Sequence, residues 1–209
     1  NKKISVIDGD DGIISYRVVG SNITKILDYF GINIIELKGN MWKEYGNMII
    51  SLTIGTDYEI LEILVPIEEK SSIEYIMAEC NILESKIDNW DMMRIELGIV
   101  DYFDINNSIP FDVKLNHLVK LNKGCYPGQE IHARLESRGK INNTLVRLRA
   151  NSNNNKKKFK IIDGGKIKIK SSYKSNEMVI SLGIIPTKYE NMHSIETVEN
   201  ISFLIEKLD

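Results

Sequence analysis

The chain has 209 residues, 43% of them hydrophobic and 27% charged, with a formal net charge of −2. This is the composition of an ordinary globular protein with room for one large domain or two unequal ones. No apolar run approaches the ~20 residues of a membrane span, and the start, NKKISVIDGDDG, lacks the apolar core of a signal peptide, so no membrane contact is expected.

Cys80 and Cys125 are the two cysteines, too few for a disulfide framework, and a reducing cytoplasm is the expected compartment. With His117, His132 and His193 they form no metal-ligand spacing, so no metal site is expected. Charge is segregated. Residues 121–175 hold 14 Lys/Arg against 3 Asp/Glu, which suits an anionic partner and equally suits a solvated basic face.

Residues 12–65 read as β-rich. GIISYRVVG, INIIELKGN and NMIISLTIG have strand composition with turn residues between them. YEILEILVP ends at Pro66, as an edge or final strand would. In EEKSSIEYIMAEC (68–80) the period changes: Ile73, Ile76, Met77 and Cys80 recur at helical spacing. Cys80 on that stripe reads as a small buried hydrophobe. A second helix is predicted over about 89–97, capped by Asp88, with Asp91 in its first turn and Gly98 at its exit.

DYFDINNSIP reads as a loop. QEIHARLESRG reads as a short helix with Pro127 in its first turn and Gly139 at its exit, although Ile131, Ala133 and Leu135 alternate as a strand would. From residue 141, INNTLVRLRA, FKIIDGG, KIKIKSSY, EMVISLGIIP and ISFLIEKLD are short, regularly spaced strands, the pattern of a small barrel or sandwich. SNNNKKK (152–158) is polar and of low complexity, the composition of a flexible loop.

Between these halves lies KGCYPGQE, residues 123–130. Tyr126-Pro127-Gly128-Gln129 has the form of a type II turn, with Pro at the first central position and Gly supplying positive φ at the second. Gly124 allows a close backbone approach before the cysteine. Cys125 then sits at a bend just before a helix, where the helix N-terminus and the ammonium of Lys123 favour a thiolate; a structural turn whose cysteine merely packs fits the same residues. Glu130 can cap free N–H groups or take a proton near the sulfur, Gln129 shares that first turn, and Tyr126 offers a flat face to an aromatic ligand. His132 lies nearly two helical turns from the sulfur, so a protease-like Cys/His pair is poorly supported.

These eight residues resemble the K-G-C-Y-x-G-Q-E signature of the YgfZ family, folate-binding proteins related to the glycine-cleavage T-protein. Arg94, Gly98 and Ile99 resemble that group's R-x-x-x-G-I helix exit. Pro110, Asn116 and Leu118 resemble its I-P-x-x-x-N-L approach, and Ala133-Arg134 and Arg138-Gly139 its A-R and R-G pairs. The similarity is specific over about residues 90–149. More weakly, DYEILEILVP resembles the T-protein strand that places a folate-contacting glutamate, here Glu62. Trp90 stands where T-proteins have a substrate-contacting arginine. The first half holds no match to the N-D pair that carries the T-protein catalytic aspartate, so either a lost segment or a short variant is expected.

The resemblance implies an α+β protein: a mixed antiparallel-sheet and helix folate-binding domain at 1–140, N-terminally shortened and carrying the loop, followed by a small β-barrel at 141–209. It implies a tetrahydrofolate-type ligand contacted by Glu62, Arg94, Gly124, Gly128 and Gln129. Cys125 is then the reactive group, tuned by Lys123, Tyr126 and Glu130. It further implies an accessory role in iron–sulfur cluster assembly or repair that affects tRNA-modifying enzymes, with iron–sulfur proteins as partners. The basic stretch 156–174 is where tRNA phosphates or a folate polyglutamate tail are expected. Two other readings stand beside this one: a tetrahydrofolate-dependent aminomethyl or methyl transferase, and a non-catalytic protein- or RNA-binding module.

Overall fold

The computed structural model describes residues 12–37, 42–55, 58–139, 141–151 and 156–208. The acidic turn at Asp8, Asp10 and Asp11, and most of the polar loop at 152–158, lie outside them. The chain divides into two units, residues 1–85 and 86–209, so the predicted 89–97 helix and the signature loop share a unit with the C-terminal strands.

The first unit holds strand β1 (Ile13–Val19), helix α1 (Ile23–Tyr29), strands β2 (Lys43–Tyr45), β3 (Met48–Ile54) and β4 (Glu59–Pro66), and helix α2 (Lys70–Glu79). The strands form an antiparallel sheet in the order β1-β4-β3-β2. Alternation in β4 aims Leu61, Ile63 and Val65 into the core, against Ile23, Ile26 and Leu27 of α1 and Ile73 and Met77 of α2. Glu62 therefore stands on the other face of the sheet, opposite Arg17 of β1 and Ser51 of β3. Cys80 is buried in the same core, as its helical stripe predicts.

β4 is the final strand of this sheet in chain order, one of the two readings of Pro66, although it lies in the interior, flanked by β1 and β3, with Pro66 as its last residue. Two expectations are corrected in this unit. SNITKILDYF, unassigned in the sequence, forms α1, whose Ile23, Ile26 and Leu27 repeat at three and four. INIIELKGN is not a strand over its described part: Ile34–Leu37 make a single 3₁₀ turn.

The second unit begins with helices α3 (Ile87–Leu97) and α4 (Tyr102–Ile105), then two 3₁₀ turns at Pro110–Val113 and Asn116–Leu118, then helix α5 (Gln129–Arg138). Strands β5 (Asn143–Ala150), β6 (Lys158–Lys160), β7 (Lys166–Ser175), β8 (Met178–Pro186), β9 (Ser194–Glu196) and β10 (Ser202–Lys207) follow. Their order is β6-β7-β8-β5-β10-β9, all antiparallel. A bridge from Ile161, just past β6, to Thr197, just past β9, joins the two ends of the sheet. Backbone bonds from Ile162 N to Glu196 O (3.1 Å) and from Val198 N to Lys160 O (2.9 Å) flank it. The predicted barrel is thus present, and its edges meet.

Val146, Leu148, Phe159, Ile167, Ile185, Phe203 and Ile205 belong to one core cluster of the barrel. A second cluster packs Ile95 of α3 and Val113 against Leu145, Ile180, Leu182, Ile184 and Leu208. Both faces of β8 are thereby covered, which explains its nearly continuous apolar run. Two expectations are corrected here. DYFDINNSIP contains α4, held by a capping box between Asp101 and Asp104. The cap of α3 is Lys86 and not Asp88, which lies in the first turn. Gly98 ends α3 with φ 72°, as predicted.

Candidate functional site

The signature loop folds as its turn chemistry requires. Gln129 N donates to Tyr126 O at 3.2 Å, and Gly128 has φ 86° and ψ −2°, the geometry of the second central position of a type II turn. Gly128 is also the residue that caps α5, accepting from Ile131 N (3.1 Å) and His132 N (3.2 Å). Pro127 therefore precedes the helix instead of opening its first turn. Gly139 ends α5 with φ 60°. A Cβ on Gly124 would meet nothing within 4 Å, so no described protein group packs closely against its backbone.

Cys125 is exposed at this bend. The Lys123 ammonium lies 4.7 Å over the Tyr126 ring, a cation–π contact that holds a positive charge one residue from Cys125's neighbour. Tyr126 Oη is 3.2 Å from His132 Nδ1. The His132 ring also packs against Phe111, with centroids 5.7 Å apart. Gln129 Nε2 donates to Leu121 O at 3.1 Å and ties the helix start to the segment entering the loop. Glu130 makes an ion pair with Arg134 at 2.8 Å, and its side chain, 85% exposed, caps nothing.

Phe111 also lines a cleft of about 380 Å³, with Lys114, Asn116, Ile141, Thr144, Thr187 and Glu190. That volume is in the range of small-molecule sites. Glu190 Oε1 accepts from Thr144 Oγ1 at 3.4 Å and is 3.7 Å from Lys114 Nζ and 4.0 Å from Lys207 Nζ. The cleft thus offers a braced carboxylate beside an aromatic and an aliphatic wall. Sequence reasoning missed Lys114, Thr144 and Glu190, because the chain brings them together from far-apart positions with no local motif. It noticed His132 but not its bond to Tyr126.

The remaining predicted site residues lie elsewhere. Arg94 is 2% exposed and fully engaged: Nε to Asp91 (2.7 Å), Nη1 to Asp104 (2.7 Å) and Nη2 to Ser171 Oγ (2.9 Å). Two residues on, Glu96 takes bonds from Arg149 (2.8 Å) and the Tyr173 hydroxyl, while Glu206 takes bonds from Arg147 and Arg149. Burial would raise the carboxyl of Glu96, but Tyr173 and Arg149 hold it below the usual range. Burial, then the bond to Glu96, pushes Tyr173 up to about 12. Glu62, in the first unit, accepts from Arg17 Nε at 2.9 Å through one carboxylate oxygen.

Among the described residues no group of His, Cys, Asp and Glu is placed to hold a metal ion, and no helix is long and apolar enough to cross a membrane.

No family model matches the chain. It is 29% identical over 152 residues to the tRNA-modifying protein YgfZ of Blochmanniella pennsylvanica (strain BPEN), an alignment covering 63% of this chain and 46% of that protein. The chain thus spans about half the length of this curated relative. Its fold matches the crystal structure of the glycine cleavage system aminomethyltransferase T from Bartonella henselae, with a TM-score of 0.69 and 17% identity, over 92% of this chain and 59% of that one. The chain therefore resembles YgfZ in sequence and shares the T-protein fold.

Proposed function

We propose that this protein is a YgfZ-like folate-binding accessory factor that acts in the cytoplasm in iron–sulfur cluster assembly or repair, with tRNA modification as the process it serves and Cys125 as its reactive group. The observation that carries the reading is the loop: an exposed cysteine immediately before a type II turn that leads into a helix, with a lysine ammonium stacked on the adjoining ring. Gly128 and Gln129 shape and anchor the loop. Tyr126 is steadied by His132.

The chain's groups suit a reduced folate, whose reduced ring carries one-carbon units. Glu62 keeps one carboxylate oxygen beyond the one that accepts from Arg17, and an amino-pyrimidine edge presents donors to such an acceptor. The aminomethyltransferase alternative rests on the shared fold alone.

Two experiments separate the parts of this reading. Cys125→Ala is expected to fold normally and to fail to complement cells lacking the YgfZ-type protein; full complementation removes the reactive cysteine. Calorimetry with a reduced folate is expected to give binding that Glu62→Ala weakens; no heat at high ligand concentration removes the folate.

A further inference from the structure

We propose that the outer face of the β6–β7 hairpin is a phosphate-binding surface that takes the backbone of an RNA, and this rests on the tRNA reading above. β6 reads Lys-Phe-Lys, and β7 opens Lys-Ile-Lys-Ile-Lys. Phe159, Ile167 and Ile169 are buried, so strand alternation turns Lys158, Lys160, Lys166 and Lys168 outward, and all four are exposed. The register sets Lys158 opposite Lys168 and Lys160 opposite Lys166. Directly opposed side chains have Cβ atoms about 4.5–5.5 Å apart, and like charges so placed destabilise a sheet.

Several other cations of the unit are paired with carboxylates. Arg147 and Arg149 meet Glu96 and Glu206, Lys156 meets Glu199, and Lys114 and Lys207 lie near Glu190. Among the described residues none of the four hairpin lysines has a carboxylate at ion-pair distance. Asp163 is the single acid between 156 and 175, against eight lysines. Asp112, which feels Lys168, is hydrogen-bonded to Asn143 at 3.3 Å.

Lysines also serve to block edge-to-edge pairing. That account does not cover this face, because the sheet ends are joined through Ile161 and Thr197 and because β7 is an interior strand.

Two residues along a strand span about 6.6–6.8 Å, so the four ammoniums form a small grid on the scale of neighbouring phosphates in a nucleic-acid strand. Of the hairpin's two aromatic residues, Phe159 faces inward and Tyr173 is half-buried with its hydroxyl bonded to Glu96. The surface therefore meets backbone charge and not bases, and binding is expected to show little sequence preference.

The test is fluorescence anisotropy with an unmodified tRNA transcript, titrated with salt. Four phosphate contacts contribute a slope of about −2.8 to −3.6 in log K against log salt, or roughly a 50–150-fold loss of affinity between 50 and 200 mM. Replacing all four lysines by Gln is expected to flatten the slope by about 3 and four Arg replacements to retain it. Lys158→Gln with Lys168→Gln, or Lys160→Gln with Lys166→Gln, each flatten it by about half, which keeps the test if the fourfold variant fails to fold. A fourfold Gln variant with the wild-type slope overturns the assignment of this face and leaves the tRNA reading intact. Wild-type protein that binds no tRNA at low salt overturns the phosphate-binding surface, while the accessory role stands or falls with the Cys125→Ala complementation. Equal affinity for a polyglutamate peptide overturns the assignment to RNA.

Discussion

Removing Arg94 should destabilise the second unit far more than it alters any ligand affinity. Its guanidinium joins α3 to α4 and β7 through Asp104 and Ser171, and the Asp104 side chain is 0% exposed. Asp104 also accepts from Ser171 Oγ and from Asp101 N (3.0 Å), so in Arg94→Met it keeps two hydrogen bonds and loses its buried countercharge. Breaking a buried ion pair from one side costs about 3–5 kcal/mol. At roughly 2–4 °C per kcal/mol for a chain of this size, Tm should fall by about 6–20 °C. In a Trp42→Phe background the remaining tryptophan is Trp90 of α3, whose fluorescence reports urea unfolding of this unit. Arg94→Met with Asp104→Asn should recover much of the loss, since no uncompensated buried charge remains. A single-variant cost under about 1 kcal/mol, or a double variant no better than the single, refutes the reasoning.

Two further expectations concern backbone and charge. Gly128→Ala forces a side chain to φ 86°, at about 1–2 kcal/mol, and should change the rate at which an alkylating reagent reaches Cys125. Gly124→Ala adds a methyl to open space at no positive φ, so stability and alkylation should stay at wild-type values; equal behaviour of the two variants contradicts the turn assignment. In acid, burial would raise Glu206 and Glu96, but Arg149 and its neighbours hold both below the usual carboxylate range. The stability they contribute is present above the unfolded carboxylate pKa and is lost as pH falls through the lowered folded values. Thermal melts from pH 7 to 3 should therefore show a smaller acid loss in Arg149→Met than in wild type, and parallel curves would count against the cluster.

The barrel strands were legible because alternation there follows one buried face, as in KIKIK of β7. The apolar run of β8 was legible as a strand although it hardly alternates, because α3 covers its second face. α4 went unread because its capping box uses Asp104 where a Glu or Gln is the usual signal. The 3₁₀ turn at Ile34–Leu37 has strand composition, but short apolar runs do not distinguish the two. At the site, the turn at 126–129 could be read residue by residue, since Pro and Gly impose their own φ. The Tyr126–His132 bond could not. Tyr126 lies outside α5, so helical spacing does not apply to the pair. The grouping of Lys114, Thr144 and Glu190 is purely tertiary.

The residues that carry the resemblance fall into two physical kinds. Arg94 is consumed by a buried network, and Gly98 combines φ 72° with a site where a Cβ would come within 2.5 Å of Leu208 Cδ2. Both are accounted for by seating α3 against the barrel, so they report the fold, as does a structural match at 17% identity. Within the loop, Gly128 and Gln129 are likewise explained by the turn and its anchor. Cys125 is not. It is exposed, and the type II turn runs from Tyr126 to Gln129 without it. A serine would satisfy the same backbone, so packing does not account for the sulfur. What folding leaves unexplained is then the thiol itself, and the Cys125→Ala complementation is the measurement that decides whether the proposed chemistry resides there.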